Sequence, residues 1–198
     1  LAPDYDATLT PTLYSQRDAL LQGEVRYLSE SFGRAEIRGA ILPDDQQTGE
    51  DRKSARLRHN ASWGDGWTAR TDLNYVSDPY YLSDLGSGLE IANQTYQERV
   101  GDVRYDQGNW HVLARAQGFQ TLDPSLVDGD KPYARLPQLL LITDPSLLPG
   151  WQQQLRAEGT NFERTINDGS VTEVNGVRLR LDPQLHYDYN QPWGFIRP

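Results

Sequence analysis

The chain has 198 residues and a formal net charge of −9, so the basic field that phosphate binding needs is missing and nucleic acid is excluded as a partner. It holds no cysteine, which rules out a disulfide or a thiolate metal site within this segment. The longest apolar run is Leu139–Ile142, far short of the roughly 18 residues a membrane helix requires, although strands that cross a membrane need no such run. The length fits one domain or a piece of a larger one. With no methionine, no signal peptide and an opening at Leu1 already close to a strand, the chain is expected to be an internal or processed piece of a longer protein.

Along the chain, apolar and polar side chains alternate with a period of two. This predicts ten strands: Asp4–Tyr14, Leu20–Leu28, Gly33–Leu42, Lys53–Trp63, Trp67–Val76, Asn93–Tyr105, Trp110–Thr121, Tyr133–Ile142, Trp151–Thr165 and Val174–Tyr187, with another starting after Trp193. In the third, Ala35, Ile37 and Ile41 point one way and Arg34, Glu36 and Arg38 the other. The second sets Val25 and Tyr27 against Glu24 and Arg26. The fourth sets Leu57 and Ala61 against Arg56 and Arg58, and the fifth Leu73 and Tyr75 against Arg70 and Asp72. No segment carries the apolar stripe of an amphipathic helix. Trp151–Glu158 comes nearest, but Gln152, Gln153 and Gln154 interrupt it.

The predicted links also alternate. Ser29–Phe32, Gly64–Gly66, Asp106–Asn109 and Gln191–Gly194 are tight. Pro43–Arg52, Ser77–Gly88, Leu122–Lys131 and Asn167–Asn175 are longer and polar. Short turns at one end and long loops at the other are the pattern of an outer-membrane barrel, whose apolar face meets lipid and whose charged face meets a watery lumen. Two links depart from it: Ser15–Ala19 is short on the long side, and Asp144–Gly150 long on the short side. Aromatics gather near strand ends: Trp63 and Trp67, Tyr105 and Trp110, Trp193, and Tyr75, Tyr80 and Tyr81. An interfacial girdle and ordinary cross-strand hairpin packing both account for them, the loop asymmetry favouring the girdle.

Sites of chemistry are sparse. His59, His111 and His186 fall on separate strands without metal-ligand spacing, and no nucleophile-elbow, zincin or P-loop spacing occurs, so no enzyme, metal site or cofactor is expected. The run Asp44, Asp45, Glu50 and Asp51 offers oxygen ligands for a divalent cation, yet lacks the EF-hand spacing and reads better as a solvated loop; Asp78-Pro79 and Asp84 read as turn formers. Pro11 sits within the first strand, on the face of Ala7, Leu9 and Leu13. Either an edge strand tolerates it, or it marks a weak seam that opens sideways; the residues alone leave both open.

Several stretches, in order, resemble the barrel domain of the LptD (LPS-assembly, or organic solvent tolerance) family: Ala2-Pro3-Asp4-Tyr5-Asp6-Ala7-Thr8-Leu9-Thr10-Pro11, Glu24-Val25-Arg26-Tyr27-Leu28, Leu42-Pro43-Asp44-Asp45, Tyr75-Val76-Ser77-Asp78-Pro79-Tyr80-Tyr81, Phe119-Gln120-Thr121-Leu122 and Tyr133-Ala134-Arg135-Leu136-Pro137-Gln138-Leu139. The likeness covers Leu1 to about Leu141 and fades after that. It implies an all-β antiparallel transmembrane barrel segment, about ten strands of a barrel on the order of 26 strands. Residues 1–198 would be part of that domain, without the family's periplasmic jellyroll domain and closing strands. It further implies a cell outer membrane location and a role in assembling lipopolysaccharide into the outer leaflet. The partners implied are an LptE-type lipoprotein plug, lipopolysaccharide, outer-membrane lipid and a periplasmic transport bridge reached through the missing N-terminal domain. Pro11 matches a family proline beside a lateral gate between first and last strands. The residues expected to face the lumen are Glu24, Arg26, Arg34, Glu36, Arg38, Arg56, Arg58, Arg70 and Asp72. The rival reading is a soluble all-β binding or structural module, whose core would be thin because Gly23, Gly39, Ala55, Ala61, Ala69 and Ala114 occupy apolar-face positions. A third is a fragment that pairs its open edges with another chain.

Overall fold

In the computed structural model, which describes residues 4–86, 95–145, 151–166, 175–187, 189–191 and 193–196, ten strands form one antiparallel sheet in simple chain order. They are β1 (Tyr5–Tyr14), β2 (Asp18–Ser29), β3 (Gly33–Leu42), β4 (Arg52–Gly64), β5 (Trp67–Val76), β6 (Tyr96–Gln107), β7 (Trp110–Thr121), β8 (Ala134–Thr143), β9 (Trp151–Glu163) and β10 (Gly176–Tyr187). A separate hairpin follows, β11 (Tyr189–Gln191) with β12 (Gly194–Ile196). Three of the strands match the sequence reading end for end, and the others lie within a few residues of it. The predicted strand starts at Asn93 and Val174 lie outside the described residues.

Register fixes the two faces. Arg26 pairs with Glu36, Glu36 with Arg58, Arg58 with Asp72, and Asp72 with Val100. Directly paired residues share a face, so these side chains stand together on one polar face, and Val25, Ile37, Leu57 and Leu73 on the other. The apolar face has no second layer over it among the described residues: Leu13 is 82% exposed and Leu179 81%. A soluble sandwich would bury this set as its core, and this sheet does not.

The tight turns follow from local chemistry. Asp65 and Gly66 form the two-residue link between β4 and β5, both with positive φ (46° and 83°), as a hairpin turn that follows the strand twist requires. A Cβ on Gly66 would meet the Asp106 carbonyl oxygen at 2.3 Å, so that position needs glycine for space as well as for φ. Trp67 stacks against Tyr105 across the strands, centroids 4.9 Å apart, and Trp151 against Tyr187 at 4.7 Å. These rings lie on the apolar face near the short turns, where girdle and hairpin packing coincide.

One short helix escaped the sequence reading. α1 (Tyr81–Leu85) follows β5 within a stretch read as irregular loop. Asp78 starts it by accepting the Tyr80 N–H (3.0 Å), and Tyr81 and Leu85, four apart, are buried. Five residues are too few to show a period.

Candidate functional site

The polar face carries charge across successive strands. Arg26 forks onto Asp6 (2.9 and 2.7 Å), Arg38 reaches Glu24 (2.8 Å) and Glu36 (3.0 Å), and Asp72 holds Arg56 (3.2 Å) and Arg58 (3.6 Å). Further along, buried Asp102 takes Arg104 and Arg115, and Glu158 takes Arg156 and accepts a hydrogen bond from the Gln138 side-chain amide. Each exposed pair contributes about 0–1 kcal/mol, so the belt sets polarity and register more than stability. All nine residues read as lumen-facing from the sequence lie on this face. Arg34 and Arg70 lie in line across it through Asn60, which pairs with both, and make no carboxylate pair among the described residues.

At the long-loop end the polar face changes character. Leu20, Leu42 and Val76 occupy positions where the alternation continues from charged residues, yet they are buried, packed with Tyr81, Leu85 and Leu122. This cluster is the hydrophobic core among the described residues. Beside it Arg52, 2% exposed, places Nη1 at 2.7 Å from Asp84 and 3.5 Å from Asp45, and its Nε and Nη2 fork onto Asp78 at 3.0 and 2.8 Å. Arg17 adds contacts to Asp45 (2.7 Å) and Asp84 (3.2 Å). The guanidinium of Arg52 also lies over the Tyr81 ring, whose hydroxyl is bonded by Ser54. Three links between strands are thereby tied to one another and folded onto the sheet. Under α1 they leave a cleft of about 840 Å³ whose wall includes Thr8, Gln22, Arg38, Arg56 and Asn74.

Four sequence expectations change here. Asp45 is fully buried and ion-paired, so its loop is not simply solvated. Asp78 and Asp84 do more than form turns. Tyr81 is a core residue and not part of an aromatic girdle. Arg52, read as the end of a loop, is the centre of the group. The missed signal was its even position in β4, in phase with Arg56 and Arg58, opposite acidic loops on both sides.

Two of the three histidines are spent locally: His59 bonds the Phe32 carbonyl (2.6 Å) and His111 the Asp106 carboxylate (2.8 Å). Pro11 is a fully regular member of edge strand β1, opposite Leu21. The Leu28 N–H donates to the Asp4 carbonyl (2.7 Å), and with that register every even residue of β1 turns its backbone groups toward β2. Odd residues, Pro11 among them, turn theirs to the free edge. The β1–β2 ladder therefore loses no hydrogen bond to the proline; the donor is missing on the open side.

Comparison with known proteins now decides the family. The model of the LptD family, "LPS transport system D", matches residues 50–198. The chain belongs to the LptD family. The LPS-assembly protein LptD of Acinetobacter baumannii is 39% identical over all of this chain and 25% of its own length. Those of Alcanivorax borkumensis and Nitrosococcus oceani are each 38% identical, over all of this chain and 26% of theirs. The chain spans about a quarter of the length of these curated relatives. The likeness to LptD, which fades after about Leu141 in the sequence reading, runs through β9 and β10.

Burial works to raise the Asp45 carboxyl, but the Gln47 N–H and the Arg17 guanidinium outweigh it and hold the group below the usual carboxylate range; Asp78 is likewise held low, burial being outweighed by Arg52 and Ser77. Carboxyls depressed in the folded state add stability that is present above the ordinary value of about 3.9 and lost as pH falls through the folded values. A nitroxide at Gln47 in the full-length protein is therefore expected to be immobile at pH 7 and to stay so until pH falls below about 4; mobility already gained at pH 5 contradicts the assignment. Replacing Arg52 with Leu leaves Asp78 without its cation and Asp45 and Asp84 to Arg17 alone, at a cost of at most about 3–5 kcal/mol. The expected result is rapid protease cleavage within residues 43–51 and 77–86 of the assembled barrel, against resistance in the wild type.

Proposed function

We propose that this chain forms part of the wall of an outer-membrane barrel that assembles lipopolysaccharide into the outer leaflet. The observation that carries the reading is the single-layer sheet, with an uncovered apolar face on one side and a belt of charges on the other. In lipid, every backbone group must be satisfied within the wall, and a closed barrel of such strands meets that demand while a half-buried soluble sheet does not need it. The relatives' role in LPS assembly supports the same conclusion. Glu24, Arg26, Arg34, Glu36, Arg38, Arg56, Arg58, Arg70 and Asp72 then line an aqueous lumen, where water, an LptE-type lipoprotein plug and the sugar part of lipopolysaccharide meet mixed charge. Residues 1–198 supply part of the barrel domain, and a separate N-terminal domain links it to a periplasmic transport bridge. The tight turns face the periplasm and the long loops the outside.

Lateral release fits the β1 edge. With Pro11 turned to the open side, the strand that closes the barrel there would find an acceptor row with one donor missing, worth about 0.5–1.5 kcal/mol in water and more in lipid. Acyl chains would leave through that seam while the sugar stays in the lumen.

Cysteines placed one at a time at Arg34, Glu36 and Arg38 of the full-length protein, plug removed, are expected to react with a membrane-impermeant thiol reagent, and those at Ala35, Ile37 and Ile41 to stay protected. Equal labelling of both sets sinks the wall reading. Pro11→Ala is expected to slow delivery of lipopolysaccharide to the surface, with barrel level and plug binding unchanged; delivery at the wild-type rate removes the gate from this edge.

A further inference from the structure

The ladder between β5 and β6 stops halfway. It runs from Trp67↔Tyr105 to Asp72↔Val100, yet β5 continues to Val76, still paired with β4, and β6 begins at Tyr96, already paired with β7. Leu73–Val76 and Tyr96–Arg99 are thus opposed across a gap with no ladder pairs among the described residues.

Side chains fill that gap in an ordered way. Arg99 Nε donates to the Asn74 carbonyl (2.7 Å), and Asn74 Nδ2 donates to the Glu98 carbonyl (3.0 Å). Gln120 reaches over from β7. Its Nε2 donates to the Val76 carbonyl (2.7 Å), its Oε1 accepts the Val76 N–H (3.2 Å), and the same oxygen accepts from Arg99 Nη2 (2.7 Å). The Gln120 amide therefore pairs with Val76 as a strand's own backbone would. By register, Arg99 and Gln120 belong to the apolar face, since Val100 and Gln117 stand on the polar one. A guanidinium and an amide on a face of leucines and valines are expensive unless they satisfy something, and here they satisfy the backbone that the split leaves bare. The Arg99 guanidinium lies 5.9 Å from the Tyr75 ring centroid, which places an aromatic beside the same joint.

The two sides of the gap are also tied to different partners. Arg17, Asp45, Arg52, Asp78 and Asp84 all belong to the β1–β5 side. The β6–β10 side has its own fastening, in which Arg164 bonds the Gly129 carbonyl and stacks on Tyr133 (4.4 Å). Leu122 is the apolar contact that crosses, through the cluster at Val76 and Tyr81. Both lips of the gap, Asn74–Val76 and Tyr96–Glu98, line the cleft under α1.

We propose that the long-loop half of β5–β6 is a second seam in the barrel wall, latched by Arg99 and Gln120, at which the mouth spreads. This rests on the wall reading above and concerns a joint distinct from the β1 edge. When the latch releases, β1–β5 carries α1 and its three bound links away from β6–β10 as a unit, and the cleft widens directly. A mouth built this way passes a bulky polar ligand without breaking the continuous ladder of the short-turn half.

The test uses the full-length barrel with its plug, spin-labelled at Ile41 on β3 and Leu136 on β8, five strand spacings apart, about 24 Å. Control labels at Ala35 and Leu141 span the short-turn half. Arg99→Lys keeps the charge but cannot hold the Asn74 carbonyl and Gln120 at once, and Gln120→Leu removes the amide. Both are expected to lengthen or broaden the Ile41–Leu136 distance by on the order of one strand spacing, about 5 Å, with the control pair unmoved. An unchanged Ile41–Leu136 distance in both assembled variants overturns the latch, and so does an equal change in the control pair. Failure of the cysteine-labelling pattern at Arg34–Ile41 would instead count against the wall, whatever these distances show.

Discussion

The antiparallel ladder from β1 to β10 is the interaction on which everything else in the molecule depends. A sheet with no second layer has no thick core to correct a misplacement, so its register carries the whole distinction between faces. A slip of one residue would put Arg26, Arg38 and Arg58 among leucines and bring Ile37 and Leu57 into the charged belt. The cross-strand ion pairs are individually weak, but they are all consistent with one register and with few others.

Among the described residues, the sheet acquires its hydrophobic cluster at the long-loop end. Leu20, Leu42 and Val76 replace charge on the polar face just where the long links turn back, and α1 closes over them. Burying Arg52 there is costly unless its donors are met, and three aspartates from two loops meet them. Desolvation thus converts a surface arginine into a clamp. The same physics makes the clamp conditional: it holds while the carboxylates are ionised and in place. Loops that are held by a few charged contacts at a rim, and not by strand pairing, belong to the part of a structure that opens most readily.

Two places in the sheet bear on the proposed openings, and they are resolved by opposite means. At the β1 edge a donor is absent because proline has none, and no side chain of the described residues stands in for it. Between β5 and β6 the backbone groups are present and side chains from Arg99, Asn74 and Gln120 take them up. The first joint is weakened by omission, the second is closed by substitution. On the proposed reading, the first suits a boundary that lipid must cross, and the second a joint that must stay sealed to lipid while remaining able to move.

Much of this was legible in the residues themselves. Alternation with period two fixes strands and faces because side chains of a strand point to opposite sides, so Arg34, Glu36 and Arg38 could be assigned to one face from their spacing. Asp65-Gly66 announced its hairpin because few residues besides glycine and aspartate or asparagine accept positive φ at both turn positions. The tertiary structure alone decided the rest. Arg52 lies between 7 and 32 residues from its aspartates in sequence, and nothing local distinguishes a buried clamp from a solvated acidic loop until folding removes the water between them. Whether Pro11 weakened its own ladder or only the open edge depended on which parity of β1 faces β2, a matter of pairing and not of composition. The gap at β5–β6 was not legible either: Arg99 falls on the apolar phase of β6 and breaks its alternation, but alternation reports the faces of a strand and is silent about which neighbour its backbone meets.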